Sequence, residues 1–205
     1  MPRDDTAIDV VLFTGEDERA ACASAIIAAT EAIIADVPMV ADSERWFRHS
    51  RQAIQTHRDG PTLDAAGLPP LVTALAKIMP RPSAEANHQH WLDATREVQV
   101  ATTPAFGLVR VDDLYDRNQA RRAGQIWQRM HLWATTQGLA MQPLNQPIER
   151  VDRERQLDAP PRFVQALEQL MQRPHRAPTF MFRVGYPARE ASPSPRRSVA
   201  QVLQS

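Results

Sequence analysis

The chain has 205 residues, of which 43% are hydrophobic, and this is enough to bury one sizeable core. Its 24 basic residues balance 24 acidic ones, so no net charge attracts the protein to nucleic acid or to an anionic membrane. The only cysteine, Cys22, excludes an intrachain disulfide and lies in an apolar pattern typical of a core residue. The N-terminus lacks the apolar core of a signal peptide, and we expect one cytoplasmic domain over residues 1–205.

The N-terminal half predicts one strand followed by several helices. Residues 8–13 are a short β-rich run, and the alanine-rich residues 16–36 predict a buried helix that Pro38 ends. Ser43 is a candidate N-cap for a second helix to about residue 56, with Trp46 and Phe47 as its apolar anchors. Turn residues dominate residues 57–70, which predicts an ordered excursion that acts as a lid. Two short helices are expected after it, over residues 71–79 and 83–97.

The C-terminal half predicts two further strands around a long helix. Residues 102–111 predict a central strand in which Gly107 permits the close approach of a neighbour. The long helix begins at Asn118 or Arg121 and ends at Gly138, which suits a left-handed cap. Its buried face comprises Ala123, Ile126, Trp127, Met130 and Ala134.

A last amphipathic helix is expected over residues 162–172 and a last strand over 179–186. In that strand Phe180, Phe182 and Val184 share one side. The order of strand, several helices, strand, helix and strand favours an α+β fold over a repeating βαβ array.

Two segments carry groups suited to a ligand. The loop over residues 142–147 holds three side-chain amides between two prolines and can hydrogen-bond a flat heterocycle. The alternative is that the preceding helix is simply a core helix leaving the domain. Arg196 and Arg197 follow an extended proline-bounded segment and can clamp a phosphate monoester, or else belong to a solvated tail.

Other chemistry lacks its usual residues. His88 and His90 lie two positions apart and do not face each other on a helix, so no metal site is predicted. The sequence contains no Walker A motif, dinucleotide-binding glycine motif, serine-hydrolase elbow or zinc-protease motif.

Residues 124–147 resemble the FMN-dependent nitroreductase family, in its Acg-like branch. In that family a long central helix ends in a Gly-Leu pair, here Gly138 and Leu139, and the next loop lies against the flavin ring. Family members also end with a Gly-Tyr-Pro strand terminus, a proline-rich turn and a basic pair that holds the FMN phosphate. Gly185, Tyr186, Pro187, Arg196 and Arg197 match that pattern.

The resemblance implies helices packed around a mixed, mainly antiparallel sheet, with FMN as the cofactor. Pro143, Leu144 and Asn145 would face the flavin ring, and Arg196 with Arg197 would hold its phosphate. The implied activity is oxidation of NAD(P)H with reduction of a small-molecule acceptor such as a nitroaromatic or a quinone, and it is compatible with a homodimer. No catalytic side chain is assigned, because the flavin carries the chemistry.

One departure from the family leaves alternatives open. Family members carry an early arginine-serine-arginine element that grips the FMN phosphate, and residues 48–51 imitate it only superficially. The chain resembles the C-terminal portion of longer relatives, so the sheet is expected to be incomplete at its N-terminal side, and residues 187–205 form a tail. The alternatives to an enzyme are a non-catalytic FMN-binding or storage protein and a truncated remnant that acts only as an interaction module.

Overall fold

The computed structural model describes residues 7–63, 70–77, 82–171, 176–189 and 194–203. The strands are β1 (Ile8–Phe13), β2 (Ala105–Val111), β3 (Ala140–Pro143) and β4 (Ala177–Gly185). The helices are α1 (Glu16–Ile34), α2 (Val37–Trp46), α3 (Arg51–His57), α4 (Pro70–Ala76), α5 (Ala84–Asp93), α6 (Arg117–Thr136), α7 (Gln146–Gln156), α8 (Arg162–Met171) and α9 (Val199–Val202). A π-helical segment, Ala94–Val100, continues α5.

Residue contacts divide the chain into two compact units. Unit 1 comprises Met1–Ala35 and Gln89–Pro187, and unit 2 comprises Asp36–His88 and Ala188–Ser205. The single domain expected over residues 1–205 stays a prediction. No single helix in the described ranges is long and apolar enough to cross a membrane, although α1 and α2 taken together reach that length and composition.

The sheet of unit 1 has the strand order β1-β2-β4-β3, and every neighbouring pair is antiparallel. This confirms the α+β class, but the four described strands are wholly antiparallel rather than mixed. Gly107 allows the close approach predicted for it, because a Cβ there would lie 2.1 Å from the Cζ atom of Phe182. Arg110, whose side chain is 4% exposed, forms a two-pronged ion pair across β1 and β2 with Asp9.

Helices cover both faces of this sheet. On one face α1, α7 and α8 pack with the buried side chains of the strands, including Phe106, Leu108 and Met181. On the other face α6 packs Ile126, Trp127 and Met130 against Val109 and Phe182. Because successive strand residues point to opposite faces, Met181 and Phe182 belong to different layers of the core.

The long helix of unit 1 ends as predicted. Gly138 has φ +70°, and the Leu139 N–H donates to the carbonyl of Ala134 at 2.9 Å, which closes the last turn. The helix begins at Arg117, earlier than expected, because the Asp116 side chain accepts hydrogen bonds from the N–H groups of Asn118 and Gln119.

The helix predicted from Ser43 to about residue 56 is wrong, and so is the role of Pro38 as a stop. Asp36 caps α2 by accepting the Met39 N–H at 3.4 Å, and Pro38 occupies the first turn, where it needs no N–H donor. Ser50 starts α3 by accepting the Ala53 N–H at 3.1 Å. Trp46 is 52% exposed and does not anchor either helix in a core.

The sequence also missed β3 and α7. The strand has only four residues, and α7 presents just two apolar residues, Ile148 and Val151, to the core. Such a short apolar stripe carries little periodicity, so tertiary packing rather than pattern defines this helix. Residues 64–69 of the predicted lid lie outside the described residues, as do residues 78–79 of the helix expected over 71–79.

Candidate functional site

The junction between β3 and α7 contains three of the residues that the sequence assigns to a ligand. Leu144 is 2% exposed in the core, and its N–H donates to the Met181 carbonyl at 2.9 Å, so neither group is available to a ligand. Asn145 extends the same pairing with its side chain, because Oδ1 accepts the Met181 N–H at 3.1 Å. Pro143 ends β3 opposite Phe182 and is exposed.

The next residue, Gln146, is buried without a hydrogen bond. It is 8% exposed at the start of α7, and its Oε1 atom accepts from no residue in the described part of the chain. A buried amide oxygen normally has a partner, and leaving one unpaired opposes folding. The junction therefore holds one acceptor for which a bound molecule with an N–H group would be a partner. The sequence placed Gln146 in the loop but did not select it.

Arg183 supports this junction from β4. Its Nε donates to Gln142 Oε1 at 2.7 Å, and its NH1 group donates to the Gln99 carbonyl at 2.9 Å. Desolvation by the surrounding protein lowers the pKa of the Arg183 guanidinium. The side chain thus joins β3, β4 and the end of the π-helical segment, which is a structural role.

Arg196 and Arg197 lie in unit 2 and are exposed. The NH1 group of Arg196 donates to Ser194 Oγ at 3.0 Å. Arg197 contributes, with His57, to lowering the pKa of Asp59, although the hydrogen bond from Arg48 is the largest cause. The two predicted phosphate ligands are therefore accessible cations near the start of α9.

Residues 48–51, which imitate the family's arginine-serine-arginine element, serve local structure in unit 2. Nε and NH2 of Arg48 both donate to Asp59 Oδ1, at 3.0 and 2.7 Å, and the Arg48 N–H donates to the Pro61 carbonyl. Ser50 caps α3. These contacts agree with the interpretation that the likeness is superficial.

Unit 2 also has an open cavity of about 460 Å³. Two alanines line it together with five charged or aromatic residues, which are Glu44, Arg45, Phe47, Arg48 and His57. None of the five residues predicted to contact FMN lines this cavity. Arg48 in the cavity wall is held by its ion pair with Asp59. The cavity therefore lies beside the short loops that join α2, α3 and the residues after them.

Cys22 is buried in the core of unit 1, as expected. Burial raises the pKa of the Cys22 thiol to about 12, with a smaller contribution from Glu18. The thiol is therefore protonated at neutral pH and is not a nucleophile.

Comparison of the whole chain with solved structures finds FMN-dependent nitroreductases among its matches. The FMN-dependent nitroreductase NfnB of Mycobacterium smegmatis, in complex with NADPH, matches with a TM-score of 0.56 at 15% identity, over 98% of this chain and 79% of that chain. The FMN and NADPH-dependent nitroreductase NfnB of Sphingopyxis sp. strain HMH matches with a TM-score of 0.52 at 15% identity, over 97% of this chain and 79% of that one.

Neither a protein-family model nor a curated protein matches the sequence. At 15% identity the structural likeness speaks for the fold and leaves individual residues unassigned. It extends over nearly the whole chain and agrees with the helix-covered antiparallel sheet of unit 1. The chain therefore has the α+β fold of the nitroreductases.

Proposed function

We propose that the protein is an FMN-dependent oxidoreductase of the nitroreductase type, which takes electrons from NAD(P)H and passes them to a small-molecule acceptor. The observation that carries this proposal is the likeness to FMN and NADPH-dependent nitroreductases over 97–98% of the chain. Nitroaromatic and quinone compounds are the proposed acceptors. Membership of the Acg-like branch, a cytoplasmic location and a homodimer belong to the same proposal.

The hydrogen-bonding groups and charges of these residues suit such a cofactor. The junction of β3 and α7 offers a buried acceptor, Gln146 Oε1, to a heterocycle that carries an N–H group. Pro143 and Asn145 would contact the ring with their accessible groups, whereas Leu144 would hold the junction in the core. Arg196 and Arg197 offer exposed guanidinium groups to a phosphate.

FMN, when bound, supplies the hydride transfer between NAD(P)H and the acceptor. The chain itself would bind and orient the ring at the junction, where Asn145 accepts the Met181 N–H and Arg183 holds the Gln142 side chain. No side chain is assigned to proton transfer. In this proposal a second copy of the chain supplies the contacts that the family's arginine-serine-arginine element makes in its other members.

Purification followed by visible spectroscopy tests the proposal. We expect the protein to retain FMN or to bind it when it is added, with a spectrum that differs from that of free FMN. A protein that binds no FMN contradicts the proposal and leaves the interaction module as the alternative. A protein that binds FMN but never oxidises NAD(P)H selects the storage alternative.

A further inference from the structure

Two arginines of unit 1 donate to carbonyls at the end of the π-helical segment and in the residues that follow it. The NH1 group of Arg183 donates to the Gln99 carbonyl at 2.9 Å and to the Val98 carbonyl at 3.3 Å. The NH1 group of Arg19, on α1, donates to the Thr103 carbonyl at 3.4 Å. Thr103 in turn donates its hydroxyl to the same Gln99 carbonyl, so the two guanidinium groups attach to one short hydrogen-bonded segment. We call Arg19 and Arg183 the arginine pair.

Neither member of the arginine pair has a carboxylate partner within the described ranges. Their acceptors are all neutral: backbone carbonyls, the Gln142 amide and the Thr102 hydroxyl. Other arginines of this chain are paired, as Arg48 is with Asp59 and Arg110 with Asp9. Since partly buried charges are normally paired, the arginine pair is an electrostatic exception.

The end of the π-helical segment offsets only part of this charge. The C-terminal carbonyls of a helix carry about half a negative elementary charge together, against two positive charges on the arginine pair. Capping of the segment therefore explains the position of the two side chains but leaves an excess of positive charge. An anion is the group that would balance it.

Donors remain for that anion. A guanidinium has five N–H groups, and Arg183 engages only Nε and NH1 with the described residues, while Arg19 engages only NH1. The NH2 groups of both residues donate to none of them. Both residues are half-buried, so each retains some exposed surface.

We propose that the arginine pair binds the phosphate group of a small molecule. A phosphate has enough oxygens to accept from the unengaged NH2 groups of both guanidinium ions at once, and hydrogen bonds between guanidinium and phosphate are charge-assisted. Both members of the pair lie in unit 1, whereas Arg196 and Arg197 lie in unit 2. A phosphate anion and a phosphorylated nucleotide such as NADPH share the chemistry that this site recognises.

Thermal unfolding of the FMN-free protein tests the site. Inorganic phosphate at about ten times its Kd should raise Tm by about 4 °C relative to chloride at equal ionic strength. Arg19→Gln should lose most of this shift, because it removes one guanidinium group while sparing the contacts of Arg183 with β3. The matched control, Arg129→Gln on the exposed side of α6, should keep the full shift.

Three results would overturn the site: a wild-type shift no larger in phosphate than in chloride, an undiminished shift in Arg19→Gln, or a shift lost equally in Arg129→Gln. Arg183→Lys gives a second variant, which keeps the charge but loses the NH2 donor and should weaken phosphate binding at least fivefold. Titration with NADPH and NADH distinguishes the sources of the phosphate. A loss of affinity for NADPH alone in Arg19→Gln assigns the pair to the additional phosphate of that nucleotide.

Discussion

Single residues at the junction of β3 and α7 have structural roles that their sequence context does not indicate. The Asn145 side chain accepts the Met181 N–H, as the backbone carbonyl of a paired strand would. Leu144 is buried in the core. An amide-rich loop between prolines predicts ligand binding for all its members, yet here some of them hold the sheet. Sequence composition cannot separate these roles, because both use the same amide groups.

Arg196 and Arg197 are the residues whose replacement should weaken FMN binding most. The double variant Arg196→Gln/Arg197→Gln should raise the Kd for FMN at least 100-fold, because each charge-assisted hydrogen bond contributes about 1.5 to 3 kcal/mol. Fluorescence titration of FMN measures this. The control Arg51→Gln should leave the Kd unchanged, since residues 48–51 are interpreted as a superficial copy of the phosphate-binding element. An effect confined to Arg51→Gln would reverse the two assignments.

Asp59 should make stability depend on pH. The hydrogen bond from Arg48 holds the pKa of Asp59 below its ordinary value in the folded protein, so the folded state favours the ionised carboxylate. This stabilisation is complete above the unfolded-state pKa and is lost as the pH falls through the lowered folded-state pKa. The difference in unfolding free energy between wild type and Asp59→Asn should therefore be constant above about pH 5 and decrease below it. Urea unfolding across this range measures it, and a difference that grows on acidification would contradict the assignment.

At the scale of elements, strong patterns gave correct predictions and weak ones did not. β1, α6, α8 and β4 have clear periodicity, and the structure confirms all four. The region of α2 and α3 was wrongly joined, since Ser43 and Ser50 are both possible caps in sequence. The Arg48 N–H between the helices donates to the Pro61 carbonyl, a nonlocal contact that the sequence alone does not reveal.

The end of α6 can be tested with two glycines whose new Cβ atoms would meet no neighbour within 4 Å. Gly138→Ala should destabilise the protein by about 1 to 2 kcal/mol, because an L-residue is strained at φ +70°. Gly124→Ala, inside the helix, should stabilise it by about 0.5 to 1 kcal/mol through helix propensity. Chemical denaturation measures both. Equal effects of the two substitutions would show that Gly138 is not a left-handed cap.

The ion pair of Asp9 and Arg110 should stabilise the pairing of β1 with β2. Asp9→Ala leaves the Arg110 guanidinium buried without its carboxylate and should cost about 3 kcal/mol. The double variant Asp9→Ala/Arg110→Met should recover at least half of that loss, since it removes the unpaired charge. Asp42→Ala, which breaks an exposed pair with Arg45, is the control and should cost about 0.5 kcal/mol or less. A double variant less stable than Asp9→Ala would contradict this account.

At the scale of the whole molecule, the fold was predictable but the completeness of the site was not. The order of elements and the resemblance both indicated a nitroreductase-like α+β fold, and the comparison with solved structures agrees over nearly the full chain. The predicted ring-binding residues belong to unit 1 and the predicted phosphate ligands to unit 2. Local sequence patterns identify such residues one by one and do not encode which of them share a site.

Anaerobic reduction of the FMN-loaded protein tests the central claim most directly. We predict that stoichiometric NADPH or NADH bleaches the visible band of the bound flavin, and that a nitroaromatic or quinone added afterwards restores it. A buffer sample with free FMN at the same concentration provides the baseline for uncatalysed reduction. A protein that binds FMN but shows no reduction beyond this baseline would contradict the claim that it is an NAD(P)H-dependent oxidoreductase.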